Sequence, residues 1–160
     1  MNAMTNRQLG AFAGAGSAGL LLAALTFQWL GYAPCELCIL QRWPHLAAAI
    51  LGATIAVFGW RRWLAALGLL AALLATAFAI YHAGVELKFW AGPQHCSGGV
   101  GNLATMSTQD LMTTLQNAPV VRCDEVSWSL FGLSMAGWNA LCSAGLALIW
   151  LLATISRRKA

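Results

Sequence analysis

Charge is what this sequence has least of. Only 9% of its 160 residues are charged, against 59% hydrophobic, whereas a soluble domain carries about a quarter charged residues. Such a chain cannot cover itself with polar side chains in water. That excludes an ordinary soluble domain and places it in the integral-membrane class, as a single domain over 1–160. The sequence also lacks a glycine-rich nucleotide fingerprint, a pair of histidines on facing helices to hold haem, and the length for a flavin domain. There is no internal repeat, and no low-complexity tract beyond the Ala/Gly/Leu bias of the apolar runs. A net charge of +4 is no sign of nucleic acid, because the positive residues sit in short clusters beside apolar runs, where they act as topology signals.

Four apolar runs remain to be placed. The first, about 9–30, carries no charge and is too long for a cleaved signal peptide. The second has only 15 uninterrupted residues from Leu46 to Trp60, short of the ~20 that cross hydrocarbon. It reaches full length, about 39–60, only if Arg42, Pro44 and His45 lie in its outer turns. The third runs over about 64–81 and the fourth over about 135–155. Arg61-Arg62-Trp63 leaves spans two and three as antiparallel neighbours. Small residues such as Gly14, Gly16 and Gly19 permit close helix packing. The expected fold is therefore an all-α four-transmembrane-helix bundle.

Arg7, Arg61, Arg62, Arg157, Arg158 and Lys159 fall on one side of that bundle, and Arg42, Lys88 and Arg122 on the other. Basic residues mark the cytoplasm, so both termini are expected inside. A short first loop near Tyr32–Cys38 and a long second loop over about 82–134 lie outside. Ser107-Thr108-Gln109-Asp110 resembles a helix start, and Leu111, Met112 and Leu115 then share a face that suits a bilayer surface or the top of the bundle.

Four of the five cysteines lie on the outer side, where disulfides persist. Cys35 and Cys38 form a close pair, Cys96 and Cys123 bracket the long loop, and Cys142 stands alone within the fourth span as a small hydrophobe. Three readings compete for the outer four. Structural disulfides suit Cys96 and Cys123, where loop closure contributes roughly 3–4 kcal/mol. They suit Cys35 and Cys38 poorly, because a ring over two intervening residues adds little. Zinc prefers two close doublets, and the second pair is widely split, so no metal is assigned. Thiol–disulfide relay fits best. Pro34 suits a helix start, Cys38 then lies near a helix N-terminus, and Arg42 is one turn later on the same face. Both the helix end and the arginine favour thiolate. Arg42 is also an ionisable residue at membrane depth, which marks function. A relay on this side needs an electron sink, and a membrane quinone is the economical one.

Pro34-Cys35-Glu36-Leu37-Cys38 with Gln41-Arg42 resembles the DsbB family of bacterial disulfide bond formation proteins. So do Tyr81-His82-Ala83-Gly84-Val85-Glu86 with Phe89-Trp90 and Gly92-Pro93 before Cys96, and Cys123-Asp124, Trp128, Phe131–Ala136 and Trp138-Asn139. The likeness covers essentially the whole chain. It implies a multi-pass protein of the bacterial inner membrane with periplasmic cysteines, which reoxidises a DsbA-like thiol oxidase and passes electrons to ubiquinone or menaquinone. By the same likeness Cys96 meets the partner thiol, Cys123 pairs with Cys96 and exchanges with Cys35, and Cys38 contacts the quinone. Arg42 binds that quinone, with His82 and Met135 near it, Trp128 as a further wall, and Glu86 and His95 as polar supports. Gly98, Gly99 and Gly101 would free the long loop to move. The competing classes are a quinone reductase of the vitamin K epoxide reductase type and a non-enzymatic metal-binding membrane protein.

Overall fold

The structure, a computed structural model, describes residues 4–93, 107 and 122–156. Cys96, His95, the three loop glycines, the helix expected after Ser107, and Arg157, Arg158 and Lys159 lie outside the described residues. Those described form four helices, α1 (Asn6–Trp29), α2 (Glu36–Phe58), α3 (Arg62–Glu86) and α4 (Met135–Ile155), with a two-strand hairpin, β1 (Ser129–Leu130) and β2 (Leu133–Ser134), leading into α4.

The helix starts follow from local chemistry. Thr5 and Gln8 cap α1 reciprocally, Thr5 N–H to Gln8 Oε1 at 2.9 Å and Gln8 N–H to Thr5 Oγ1 at 3.3 Å, a capping box. Cys35 caps α2 through Sγ, which accepts from Cys38 N–H at 3.2 Å. Ser134 caps α4, accepting from Gly137 N–H at 3.1 Å. At its other end α3 closes in a Schellman motif: Phe89 N–H reaches Gly84 O at 2.9 Å and Lys88 N–H reaches Val85 O at 3.1 Å. Lys88 takes the left-handed position, φ 61°, where glycine is usual.

The helices pack in a ring, each against the next in sequence and α4 against α1, alternating in direction. Arg7 bonds to Ala56 O, and Trp60 Nε1 donates to Ala153 O, so the start of α1 and the ends of α2 and α4 share one end. Arg42, Lys88 and Arg122 belong to the other, matching the charge partition read from sequence. The core at the first end is Trp150 against Leu9, Ala13, Ile55, Leu64, Ala65, Ala72, Ala147 and Ala153. A Cβ on Gly68 would stand 2.6 Å from the Trp150 ring, so the indole fits only because α3 has glycine there. Small residues bring backbones together, the usual means of packing helices in lipid. Outside this core Leu22, Leu70, Leu148 and Ile155 are exposed, an apolar flank suited to a bilayer.

Helices α1, α3 and α4 are each long and apolar enough to cross a membrane. Helix α2, of similar length at 23 residues, is not among them; it begins at Glu36, three residues before the expected Ile39, and holds Arg42, Pro44 and His45 in its outer turns as expected. The third helix is also longer than the span expected at 64–81, running on to Glu86. That extension carries His82 and Glu86 on helix rather than loop.

Candidate functional site

Where α2 begins, two sulfurs meet. Cys35 Sγ donates to Cys38 Sγ at 2.8 Å, and a further closing of roughly 0.8 Å would reach disulfide length. Their surroundings differ. Cys35 is buried, packed with Leu37, Val85 and Cys123, while Cys38 is half-exposed. The S–H bond that Cys35 gives to Cys38, with burial behind it, pushes the Cys35 thiol far above its ordinary value.

His82 stands beside this pair. Its Nε2 is 3.5 Å from Cys35 Sγ and 3.9 Å from Glu86 Oε1, and the ring also bonds to the Cys123 backbone. Its Nδ1 faces Gln41 Nε2 at 2.9 Å. An amide nitrogen only donates, so Nδ1 accepts and the ring proton sits on Nε2, turned toward Cys35. Gln41 is fixed in turn: Nε2 donates to Leu37 O at 3.0 Å, and Oε1 accepts from Asn139 Nδ2 at 2.6 Å. Asn139 Oδ1 meets His45 Nε2 at 3.0 Å, and Ser143 Oγ stands 3.3 Å from both. A polar chain thus runs from the sulfurs into the bundle, with its members bonded to one another as burial demands.

On the cavity side Cys38 and Arg42, one turn apart on α2, face a pocket of about 280 Å³. Leu20, Leu21 and Phe27 of α1 and Met135 and Trp138 of α4 line it, with Trp128 tilted against Phe27 at 4.9 Å between ring centroids. Arg42 donates from Nη1 to Gln28 Oε1 at 2.7 Å, while its Nε is buried without a hydrogen-bond partner. A mostly apolar pocket ending in an orphaned guanidinium N–H has the chemistry of a site for a flat apolar ring with carbonyl acceptors. Quinone head groups fit that description.

At the loop side, Asp124 holds residues 122–125 to the end of α3. It accepts from Arg122 Nε at 2.9 Å and from Lys88 Nζ at 2.5 Å, and these bonds, Arg122 first, hold its carboxyl well below the usual range. Cys123 is thereby seated beside Cys35. Ser134 Oγ donates to Glu86 Oε2 while capping α4, joining the hairpin to α3.

The structure therefore gathers Cys35, Cys38, Arg42, His82, Met135 and Cys123 at one end of the bundle. Cys96 is outside the described residues. Glu86 and Trp128, read as supports, do touch the site. Cys142, read as a plain apolar residue, is exposed at the cavity margin. Sequence reasoning missed the roles of Gln41, His45, Asn139 and Ser143. The signal was present: polar residues inside apolar runs, spaced i, i+4 on α2 and again on α4, make stripes that can face each other.

The family model for disulfide bond formation protein DsbB matches residues 6–153. Among curated proteins, the disulfide bond formation protein B of Methylococcus capsulatus is 34% identical over 145 residues, covering 84% of this chain and 85% of the relative. That of Verminephrobacter eiseniae is 32% identical over 150 residues, 86% and 79%, and that of Idiomarina loihiensis 32% over 146 residues, 88% and 80%. No solved structure matches the chain significantly. A multi-pass apolar bundle, a paired-thiol site and these likenesses agree: the chain belongs to the DsbB family of membrane disulfide bond formation proteins.

Proposed function

We propose that this chain reoxidises a periplasmic DsbA-like thiol oxidase and hands the electrons to a membrane quinone, ubiquinone or menaquinone. It does so as a four-span protein of the bacterial inner membrane with both termini cytoplasmic. The observation that supports this most is the unequal placement of one pair: both cysteines line an apolar cavity, but Cys38 is half-exposed there one turn from Arg42, while Cys35 is buried beside Cys123. Aqueous exchange enters by one sulfur and lipid-phase chemistry leaves by the other.

In the oxidised enzyme Cys35–Cys38 and Cys96–Cys123 are disulfides. A partner thiolate attacks Cys96 Sγ and Cys123 leaves. The partner's second thiol resolves the mixed disulfide, so the partner departs oxidised with Cys96 and Cys123 reduced. Cys123 thiolate then attacks Cys35 Sγ and Cys38 leaves as thiolate. Cys96 resolves the Cys35–Cys123 bond, which restores Cys96–Cys123 and leaves Cys35 and Cys38 reduced. A bound quinone supplies the acceptor for the pair's two electrons and two protons. Arg42 would hold its carbonyl with the unpartnered Nε, Met135 and Trp128 would wall the ring, and the Nε2–H of His82 would steady negative charge at Cys35 during exchange.

The test is anaerobic mixing of purified protein with quinone and reduced partner, followed by quinol formation. Cys38→Ser abolishes quinol formation on this reading, and Cys96→Ser blocks partner oxidation while leaving the quinone site intact. Undiminished quinone-coupled turnover in Cys38→Ser protein overturns it.

A further inference from the structure

Cys35 Sγ, Cys38 Sγ and His82 Nε2 all lie within 4.8 Å of one another, and Glu86 Oε1 is 3.9 Å from that same nitrogen. We infer that the reduced Cys35/Cys38 pair, with His82 and with Glu86 as the fourth donor, is a binding site for a thiophilic divalent cation of the zinc class, and that its occupation arrests the enzyme in the reduced state. Two thiolates, one imidazole and one carboxylate are the donors such an ion prefers, in the number it prefers. With metal–sulfur and metal–nitrogen bonds of about 2.3 and 2.0–2.1 Å, a tetrahedral S···N edge is about 3.5 Å. The Cys35–His82 separation is 3.5 Å. Two adjustments are needed: the sulfurs part by roughly 1 Å from their contact to a tetrahedral S···S edge, which side-chain rotation of the half-exposed Cys38 allows, and Glu86 swings in, because its Oε1 is 3.9 Å from His82 Nε2 against a tetrahedral edge of about 3.4 Å. The cavity that Cys38 and Glu86 both line provides the approach.

Binding is not a redox step. Two S–H bonds give way to two metal–sulfur bonds, and both protons go to solvent. The imidazole must also free Nε2, moving its proton to Nδ1, which then needs an acceptor. Gln41 presents a donor there, Nε2 at 2.9 Å. The wild-type site therefore works against its own third ligand, and a carboxylate at position 41 would remove that opposition. Metal-bound histidines are ordinarily supported by such an acceptor, at 10–100-fold in affinity. The network that turns Nε2–H toward Cys35 thus also guards the thiols from capture.

The inference draws on the proposed redox pair only in requiring both thiols reduced. Metal uptake is read without quinone or partner, so failure of either reading shows separately. The probe is cobalt(II) titrated into the reduced full-length protein in detergent. One ion per chain is expected, with the thiolate-to-cobalt band in the near ultraviolet and tetrahedral bands in the visible. Cys35→Ser and Cys38→Ser should lose these bands, His82→Ala should bind at least 10-fold more weakly, and Gln41→Glu should bind 10–100-fold more tightly. The Cys96→Ser/Cys123→Ser double variant should keep the site. Zinc should displace the cobalt and inhibit turnover, reversibly on chelation. Equal binding by the oxidised chain, bands that persist in Cys38→Ser, bands lost in the Cys96/Cys123 variant, or no bands at all would each overturn the assignment.

Discussion

Gly52→Ala tests how tightly α1 and α2 must meet for the bundle to hold. A Cβ at Gly52 would stand 2.5 Å from the Gly14 Cα and 3.1 Å from Gly10 O. Those are backbone atoms of α1, so no rotamer change relieves them, and the helices must part by about 1 Å to restore ordinary contact. Overpacking of this kind costs about 1–3 kcal/mol, against only 0.5–1 kcal/mol that alanine gains over glycine in a helix interior. The clash therefore wins. At mid-range the net cost is about 1.3 kcal/mol, and at about 2–4 °C per kcal/mol for a chain of this size the purified protein should melt lower by roughly 3–5 °C. Gly145→Ala is the control, since nothing lies within 4 Å of a Cβ there, and its melting point should hold or rise. Arg42 lies ten residues before Gly52, about 15 Å along the helix, so turnover at low temperature should survive in Gly52→Ala. The assay is thermal unfolding in one detergent for all three proteins. Gly52→Ala melting within 1 °C of the parent would refute the close-approach argument.

Asn139→Leu removes the bonds to Gln41, His45 and Ser143 and orphans Gln41 Oε1. Hydrogen bonds in lipid average about 0.6 kcal/mol with a maximum near 1.7, so a loss of about 1–2 kcal/mol on thermal unfolding is expected, together with slowed thiol exchange as His82 loses its brace. Arg42→Ala should raise the quinone KM by roughly ten- to a hundred-fold, the range of a charge-assisted hydrogen bond, with Arg42→Lys intermediate; an unaltered quinone dependence would leave Arg42 as an interfacial anchor. For Asp124, a depressed carboxyl means the tether to Lys88 and Arg122 contributes in full above the unfolded value of about 3.9 and is lost as pH falls through the lower folded one. Amide exchange over 122–128, corrected for intrinsic rates, should therefore stay slow at pH 5–7 and rise below about pH 4, while Asp124→Asn should show the loosened pattern at neutral pH.

Most of the fold was legible because apolar length is a strong signal. The fourth helix matches its expected bounds at Met135–Ile155, and the antiparallel turn at Arg61-Arg62 follows from having almost no residues to spend there. The ends of α2 and α3 were harder to read. Helix α2 starts early because a cysteine serves as its N-cap, a residue type outside the usual Ser/Thr/Asp/Asn set. Helix α3 runs on to Glu86 because its stop is a left-handed lysine where glycine is the common signal. Trp90, folded back over Gly84 with its Nε1 on Tyr81 O at 2.8 Å, shields that end. The cysteines and Arg42 could be named from spacing and charge. The network of Gln41, Asn139, His45 and Ser143 could not, because it depends on which helices face each other, and spacing along one helix does not specify a partner.

The unequal roles of Cys35 and Cys38 follow from where a helix begins. The two-residue gap is the distance from an N-cap side chain to the backbone N–H three positions on, the same reach a capping serine uses. Cys35 fills that position, so its Sγ is drawn over the helix end to accept from Cys38 N–H at 3.2 Å. The same placement packs it against Val85 and Cys123, at the inner wall of the cavity that Cys38 also lines. Cys38 is already inside the helix, so its side chain follows helical periodicity and shares a face with Arg42 one turn later. Its sulfur receives the S–H of Cys35 and belongs to the first turn of a helix, where negative charge is favoured. Negative charge is therefore favoured on Cys38, one turn from Arg42, and the proton stays on Cys35, beside Cys123. Exchanging the two cysteines' surroundings would require moving the start of α2, so a variant that shifts the cap, such as Pro34→Ala with Glu36→Pro, should disturb both thiol exchange and quinone coupling together. A variant in the cavity wall, such as Met135→Ala, should disturb coupling alone. If both variants affected only one of the two reactions, the helix start would not be the source of the division.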